Sequence, residues 1–147
     1  MINYVSFAGL QNHLAYDSFD CGRAGTGYVN LYNGDVVIAR PLTQCGGNRM
    51  PVSITAYYGA QLSGVTARVG SHWRLSCDQC MNKSYINDEL YFIWSKGDGD
   101  QQYFKKPNSS AAYYEDLSGL SLKLTDNGTY TEIEDKGGTV MRFESPQ

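Results

Sequence analysis

Four cysteines and two histidines are the residues of this 147-residue chain best suited to hold a metal or run thiol chemistry. Cys77 and Cys80 have the Cys-x-x-Cys spacing of half a zinc site, His72 lies just upstream, and Cys45 or Cys21 would complete a tetrahedral set. Zinc is the weakest of three readings, because structural sites bring their ligands in close pairs and Cys21 and Cys45 stand alone. A disulfide and unpaired thiols within a sheet are the other two. Thiol redox chemistry would need a helix N-terminus to stabilise the thiolate, and here the pair follows a strand-like Trp73-Arg74-Leu75. No metal or other cofactor is therefore expected.

The carboxylates and hydroxyls point away from catalysis. Gly97-Asp98-Gly99-Asp100, with Asp88 and Glu89 nearby, offers oxygens to calcium. A calcium loop, however, closes with an acidic residue at a fixed offset, and Gln101-Gln102-Tyr103 breaks that pattern. Glycine and aspartate are what a hairpin turn selects, so the segment reads as a turn. Ser71 and His72 are adjacent, and neighbours on a strand point to opposite faces, so they cannot act as nucleophile and base locally. Glu132 and Glu134 share a strand face, an arrangement that favours solubility at a sheet edge over glycoside cleavage. With no Gly-x-Ser-x-Gly elbow either, the chain is expected to be no enzyme. Aromatic residues supply the rival function: Trp94, Tyr91 and Tyr103 are candidates to stack on sugar rings in a carbohydrate-binding β-module. Against that, Tyr91, Ile93 and Tyr103 also suit cross-strand core pairs.

The elements that would position these residues are strands. Val52, Ile54, Ala56 and Tyr58 alternate on one face, as do Leu120, Leu122 and Leu124. Asn33-Gly34 between Tyr28–Tyr32 and Val36–Ala39 predicts a hairpin with a type I′ turn. A second hairpin sets Leu90–Ser95 against Gln101–Lys105. Turns at Asp126-Asn127-Gly128 and Asp135-Lys136-Gly137-Gly138 join Leu120–Thr125, Thr129–Glu134 and Thr139–Phe143 into a meander. Residues 1–26 show no clean periodicity and read as an irregular lead-in with one short helix around Phe7–Tyr16, followed by a single β domain over 27–147. The fold class is all-β: a mostly antiparallel sheet of hairpins and a C-terminal meander, sandwich-like or partly open.

Composition excludes several partners. The net charge is −3 and the basic residues are scattered apart from Lys105-Lys106, so the electrostatic attraction behind nucleic-acid binding is missing. No apolar run approaches the roughly 20 residues of a membrane-spanning helix, which argues against membrane insertion. The N-terminus lacks the basic start and apolar stretch of a secretory signal. Twelve tyrosines against five phenylalanines suit half-buried sheet faces, where the ring packs and the hydroxyl stays wet.

Motif order carries a family resemblance. Gly22-Arg23-Ala24-Gly25-Thr26-Gly27-Tyr28-Val29-Asn30, the Tyr32-Asn33-Gly34-Asp35 turn, Gly46-Gly47-Asn48-Arg49-Met50-Pro51-Val52-Ser53-Ile54 and Gly70-Ser71-His72-Trp73-Arg74-Leu75 follow one another, and then come Gly97–Phe104, Asp116–Leu124 and Tyr130–Phe143. This series, from Gly22 to Phe143, resembles the module that precedes the YD repeats of secreted bacterial RHS-repeat proteins, of the wall-associated or polymorphic-toxin type. The resemblance implies a non-catalytic structural module, secreted or at the cell surface within a larger chain, with adjacent YD repeats as its partners. It would anchor its core with Val52, Ile54, Tyr58, Trp73 and Leu75 and pass strand pairing onward near Val140–Phe143. An unpaired edge there predicts self-association through strand edges.

Overall fold

A computed structural model describes residues 9–11, 14–46, 51–60 and 69–144. The protein is all-β, with two antiparallel sheets. Sheet A contains β1 (Tyr16–Asp20), β2 (Thr26–Asn30), β3 (Val36–Cys45), β4 (Val52–Gly59) and β5 (Trp73–Leu75). Sheet B, a curled half-barrel, contains β6 (Cys80–Ile86), β7 (Glu89–Ser95), β8 (Gln101–Lys105), β9 (Tyr114–Asp116), β10 (Lys123–Asp126), β11 (Tyr130–Glu134) and β12 (Val140–Glu144). Both sheets run in unbroken chain order, so within each sheet every described strand pairs with its sequence neighbours.

The N-terminal reading changes in the structure. β1 lies inside the expected lead-in, and the expected helix is replaced by non-helical Gly9–Gln11, Leu14 and Ala15 leading into Tyr16; Phe7, Ala8, Asn12 and His13 lie outside the described residues. Only the partner reveals β1: Tyr16 faces Asn30 and Asp20 faces Thr26 across β2, and an edge strand with exposed polar residues carries little periodicity of its own. Contacts divide the chain into two compact units. One comprises Met1–Ser6, Cys80–Ser95 and Gln101–Gln147, the other Phe7–Gln79 and Lys96–Asp100.

In the unit holding sheet A, Val37, Ala56 and Arg74 are buried. Of the expected anchors, Ile54, Tyr58, Trp73 and Leu75 are half-buried, with the Trp73 ring 5.4 Å from that of Tyr58. Val52 is exposed, because it pairs with Cys45 at the far end of β3, beyond an irregularity between Pro41 and Thr43. Proline cannot donate to the ladder, and the bulge beside it absorbs the break. The β2–β3 connection is longer than a type I′ turn, which needs positive φ at two residues. Only Gly34 has one (76°). Asn30 and Asn33 instead cap the loop, their side-chain oxygens accepting from the amides of Tyr32 and Asp35. The paired left-handed turn lies elsewhere, at Asn87 (φ 50°) and Asp88 (φ 63°) between β6 and β7. The Gly47–Met50 part of the family motif lies outside the described residues.

Sheet B follows the alternation rule closely. Its concave face holds Met81, Phe92, Trp94, Phe104, Tyr114, Leu124 and Ile133, with Leu90, Leu122, Met141 and Phe143 packed against them. The expected β7–β8 hairpin forms with Ser95 opposite Gln101 and Phe92 opposite Phe104, and the meander turns fall where expected. Leu120 leaves the predicted stripe: Ser121 takes a positive φ of 58°, β10 starts at Lys123, and Leu120 is exposed. The Asp116 carboxylate stabilises this departure by accepting from the amides of Ser118 and Leu120.

Curling brings together strands that are not neighbours. Lys83 on β6 lies opposite Phe92 and so points inward; its ammonium reaches Asp126 on β10 at 2.9 Å and sits 5.0 Å from the Phe92 ring centre. Burial opposes ionisation of Asp126, but the Lys83 hydrogen bond and the Gly128 amide outweigh it and hold its pKa below the ordinary value. A carboxyl with a depressed folded-state pKa adds stability above its unfolded pKa and loses it as pH falls through the folded one. A double-mutant cycle with Lys83→Met and Asp126→Asn, read by urea unfolding, is expected to give a coupling of about 0.5 kcal/mol at neutral pH for this part-exposed pair, vanishing in acid.

Candidate functional site

The residues singled out for chemistry are dispersed or enclosed. Cys45 and Cys77 are exposed, and Cys21 and Cys80 are half-buried, with the Asn82 side-chain amide donating to the Cys80 sulfur at 3.7 Å. Among the described residues no three of His, Cys, Asp and Glu gather as metal ligands would. His72 has a positive φ of 65° and lies 6.1 Å from the Tyr58 ring.

The sugar-stacking candidates are not an exposed platform. Trp94 is buried on the concave face within the core, and Tyr91 is fully buried on the opposite face. They are three positions apart, an odd offset, so period two sets them on opposite sides of β7. Tyr103 lies directly across from Ile93, half-buried, with its hydroxyl donating to Gln101 at 3.1 Å; burial raises its pKa.

The acidic turn is a packed structural element. Lys96 donates its amide to the Asp100 carbonyl and its ammonium to the Asp100 carboxylate, both at 2.8 Å. Gln11 donates its side-chain amide to the other Asp100 oxygen at 3.2 Å. Asp98 accepts from the Asp100 amide at 3.0 Å. Burial raises the Asp98 pKa, with the Asp100 charge adding to it, while the Asp100 amide and Lys96 oppose. A carboxyl whose folded pKa is raised binds its proton more tightly in the native state, so stability falls as pH climbs from the unfolded through the folded pKa. Asp98→Asn keeps the acceptor and removes the charge. It is expected to raise the thermal midpoint at neutral pH and leave it unchanged in strong acid, as scanning calorimetry across pH would show.

One feature of sheet B offers chemistry to another molecule: the outer edge of β12. Its Met141 and Phe143 pack inward, with the Phe143 ring 6.2 Å from Trp94. Outward, Arg142 contacts Glu132 through Nη2 at 2.7 Å and Nε at 3.0 Å, and its guanidinium lies 4.2 Å from the Tyr130 ring centre. These contacts tie the Arg142 side chain to β11. Val140 is about half exposed (52%). No strand of the described residues pairs with the other side of β12, so its backbone donors and acceptors there are offered outward.

No family model, no curated protein and no solved structure matches the chain.

Sequence reasoning located this edge, since the alternation of Val140–Phe143 and the preceding turn are visible in the chain. It missed the lock that holds Arg142 down, because that depends on the register setting Glu132 opposite Arg142. It also missed the Lys83–Asp126 bridge, whose partners are 43 residues apart.

Proposed function

We propose that this chain is a non-catalytic structural module that hands sheet pairing from β12 to a following strand, in the manner of the segment preceding YD repeats in secreted or surface RHS-repeat proteins. The observation that supports it best is the growth pattern of sheet B: seven strands in strict chain order, with no further strand of the described residues pairing beyond β12. Each hairpin extends the sheet the preceding one left, so a further strand after Glu144 adds by the same step. The ordered motif resemblance from Gly22 to Phe143 supports that family within the proposal. The reading of Trp94 and Tyr91 as sugar platforms has no comparable support, because both rings are buried.

Hydrogen exchange tests the proposal. Comparing this chain alone with the chain carrying downstream YD repeats in cis, the outward amides of β12 are expected to gain protection of about tenfold or more, while β7 and β8 stay unchanged. Equal exchange at β12 in the two proteins would remove the proposal.

A further inference from the structure

Two asparagines of the chain precede glycine, Asn33 and Asn127. Glycine is the neighbour whose backbone nitrogen most easily attacks an asparagine side chain, because it has no Cβ to crowd the ring that closes. The two sites are matched in accessibility. Both pairs lie in exposed connections between strands, Gly34 and Gly128 have φ of 76° and 83°, and nothing lies within 4 Å of a Cβ added to either glycine. Their hydrogen bonds differ. Asn33 donates its Nδ2 to the Asp35 carboxylate at 2.7 Å and accepts the Asp35 amide on Oδ1 at 2.9 Å, while the Gly34 amide donates to the Asn30 carbonyl at 2.8 Å. Among the described residues no hydrogen bond engages the Asn127 side chain, and the Gly128 amide donates to the Asp126 carboxylate at 3.0 Å.

We infer that Asn127 is a site of spontaneous covalent modification, converting to aspartate and isoaspartate in the folded protein, and that the fold protects Asn33 from the same reaction. The Gly128 nitrogen loses its proton to solvent base and attacks Cγ of Asn127. A C–N bond forms, the Cγ–Nδ2 bond breaks, and the side-chain amide takes up a proton and leaves as ammonia. A succinimide ring remains. Water then adds to one of its two carbonyl carbons and opens it. Breaking the new bond at Cγ leaves aspartate, and breaking the original peptide bond leaves isoaspartate, so the reaction needs only water and base. Closing the ring requires rotation about the asparagine Cα–Cβ and Cα–C bonds. Each site must give up one bond to a carboxylate, so the difference lies in the two further bonds at Asn33, from the Asp35 amide and to the Asn30 carbonyl. Isoaspartate runs the main chain through an added methylene in the turn that sets Asp126 opposite Thr131, so conversion loosens the β10–β11 hairpin.

The reaction is independent of pairing at β12. Its test is to incubate the intact chain at mildly alkaline pH, folded and in urea, and to follow both asparagines by peptide mapping with mass spectrometry. In the folded protein Asn127 is expected to convert about tenfold or more faster than Asn33, the effect of two hydrogen bonds. In urea, where neither set of bonds survives, the two are expected to convert at similar rates. Asp35→Ala, with circular dichroism confirming that it is folded, is expected to speed conversion of Asn33 and leave Asn127 unchanged. Isoaspartyl protein separated by ion exchange is expected to melt below the unconverted chain. Equal rates in the folded protein, or an Asn127 slowed by folding as much as Asn33, would overturn the inference. A rate ratio that persists in urea would trace the difference to flanking sequence and overturn the protection assigned to the fold. Asp35→Ala without effect on Asn33 would overturn the part assigned to Asp35, and an unchanged melting point would overturn the loosening of the hairpin.

Discussion

Replacing Gly97 by alanine is expected to lower stability by about 3 kcal/mol, at the top of the range for forcing atoms into a packed site. Gly97 is buried in the β7–β8 turn, and a Cβ built on it falls 2.6 Å from the Ser76 Cα and nearer still to the Ser76 carbonyl. The obstacle is backbone, which cannot swing away as a side chain would. Its φ lies outside the positive range, so the cost is steric and owes nothing to a disfavoured conformation. Gly128 makes the complementary case: its φ is 83° and nothing lies within 4 Å of an added Cβ. Gly128→Ala is therefore expected to cost about 1 kcal/mol, from backbone conformation alone. Thermal unfolding monitored by circular dichroism separates the two, at roughly 3 °C per kcal/mol for a chain of this size. Equal shifts for the two variants would show that the turn is not packed against Ser76. The same close approach recurs at Gly9, where a Cβ would fall 2.5 Å from the Asp100 amide nitrogen and 2.6 Å from the Gly99 carbonyl carbon.

Truncating Phe92 to alanine is expected to cost about 4 kcal/mol, the usual loss for a buried phenylalanine. Phe92 is fully buried, sits opposite Phe104 across the β7–β8 ladder, and meets the Tyr114 ring edge-on with centroids 4.7 Å apart. The variant loses the transfer free energy of the ring, the aromatic contact and the surface over which Lys83 lies. Phe92→Leu keeps most of the volume and is expected to cost about 1.5 kcal/mol. Urea denaturation gives both values. A loss below about 1 kcal/mol for Phe92→Ala would mean that the half-barrel collapses onto the gap and that its core is not held by this ring.

How much of this was legible beforehand varies by sheet, for physical reasons. In sheet B the β7–β8, β10–β11 and β11–β12 hairpins are closed by Asp98-Gly99, Asn127-Gly128 and Gly137-Gly138, and one face is buried while the other is wet, so alternation and turn chemistry report these strands directly. β6 and β9 were missed all the same. β6 mixes Cys80, Asn82, Lys83 and Ser84 without a clean stripe because it is an edge, and β9 is only three residues long. In sheet A the reading of Trp73–Leu75 as a strand holds, yet the buried member is Arg74, with its Nη2 donating to the Asp78 carbonyl at 3.0 Å. A hydrophobic pattern gives no hint of a buried guanidinium, since charged residues are scored as surface.

The chain itself determined the all-β class, the β7–β8 hairpin, the C-terminal meander and its last strand near Val140–Phe143. Each of these rests on local rules, the two-residue alternation of side chains and the backbone preferences of glycine, asparagine and aspartate, which operate over a few residues and can be read in order. The tertiary structure decided that Lys96–Asp100 packs beneath Ser76 and against Gly9, that Lys83 reaches Asp126, that Trp94 and Tyr91 are enclosed and that the contacts divide into two units. Those outcomes depend on which distant segments meet when the sheets curl, and strand alternation carries no information about curvature.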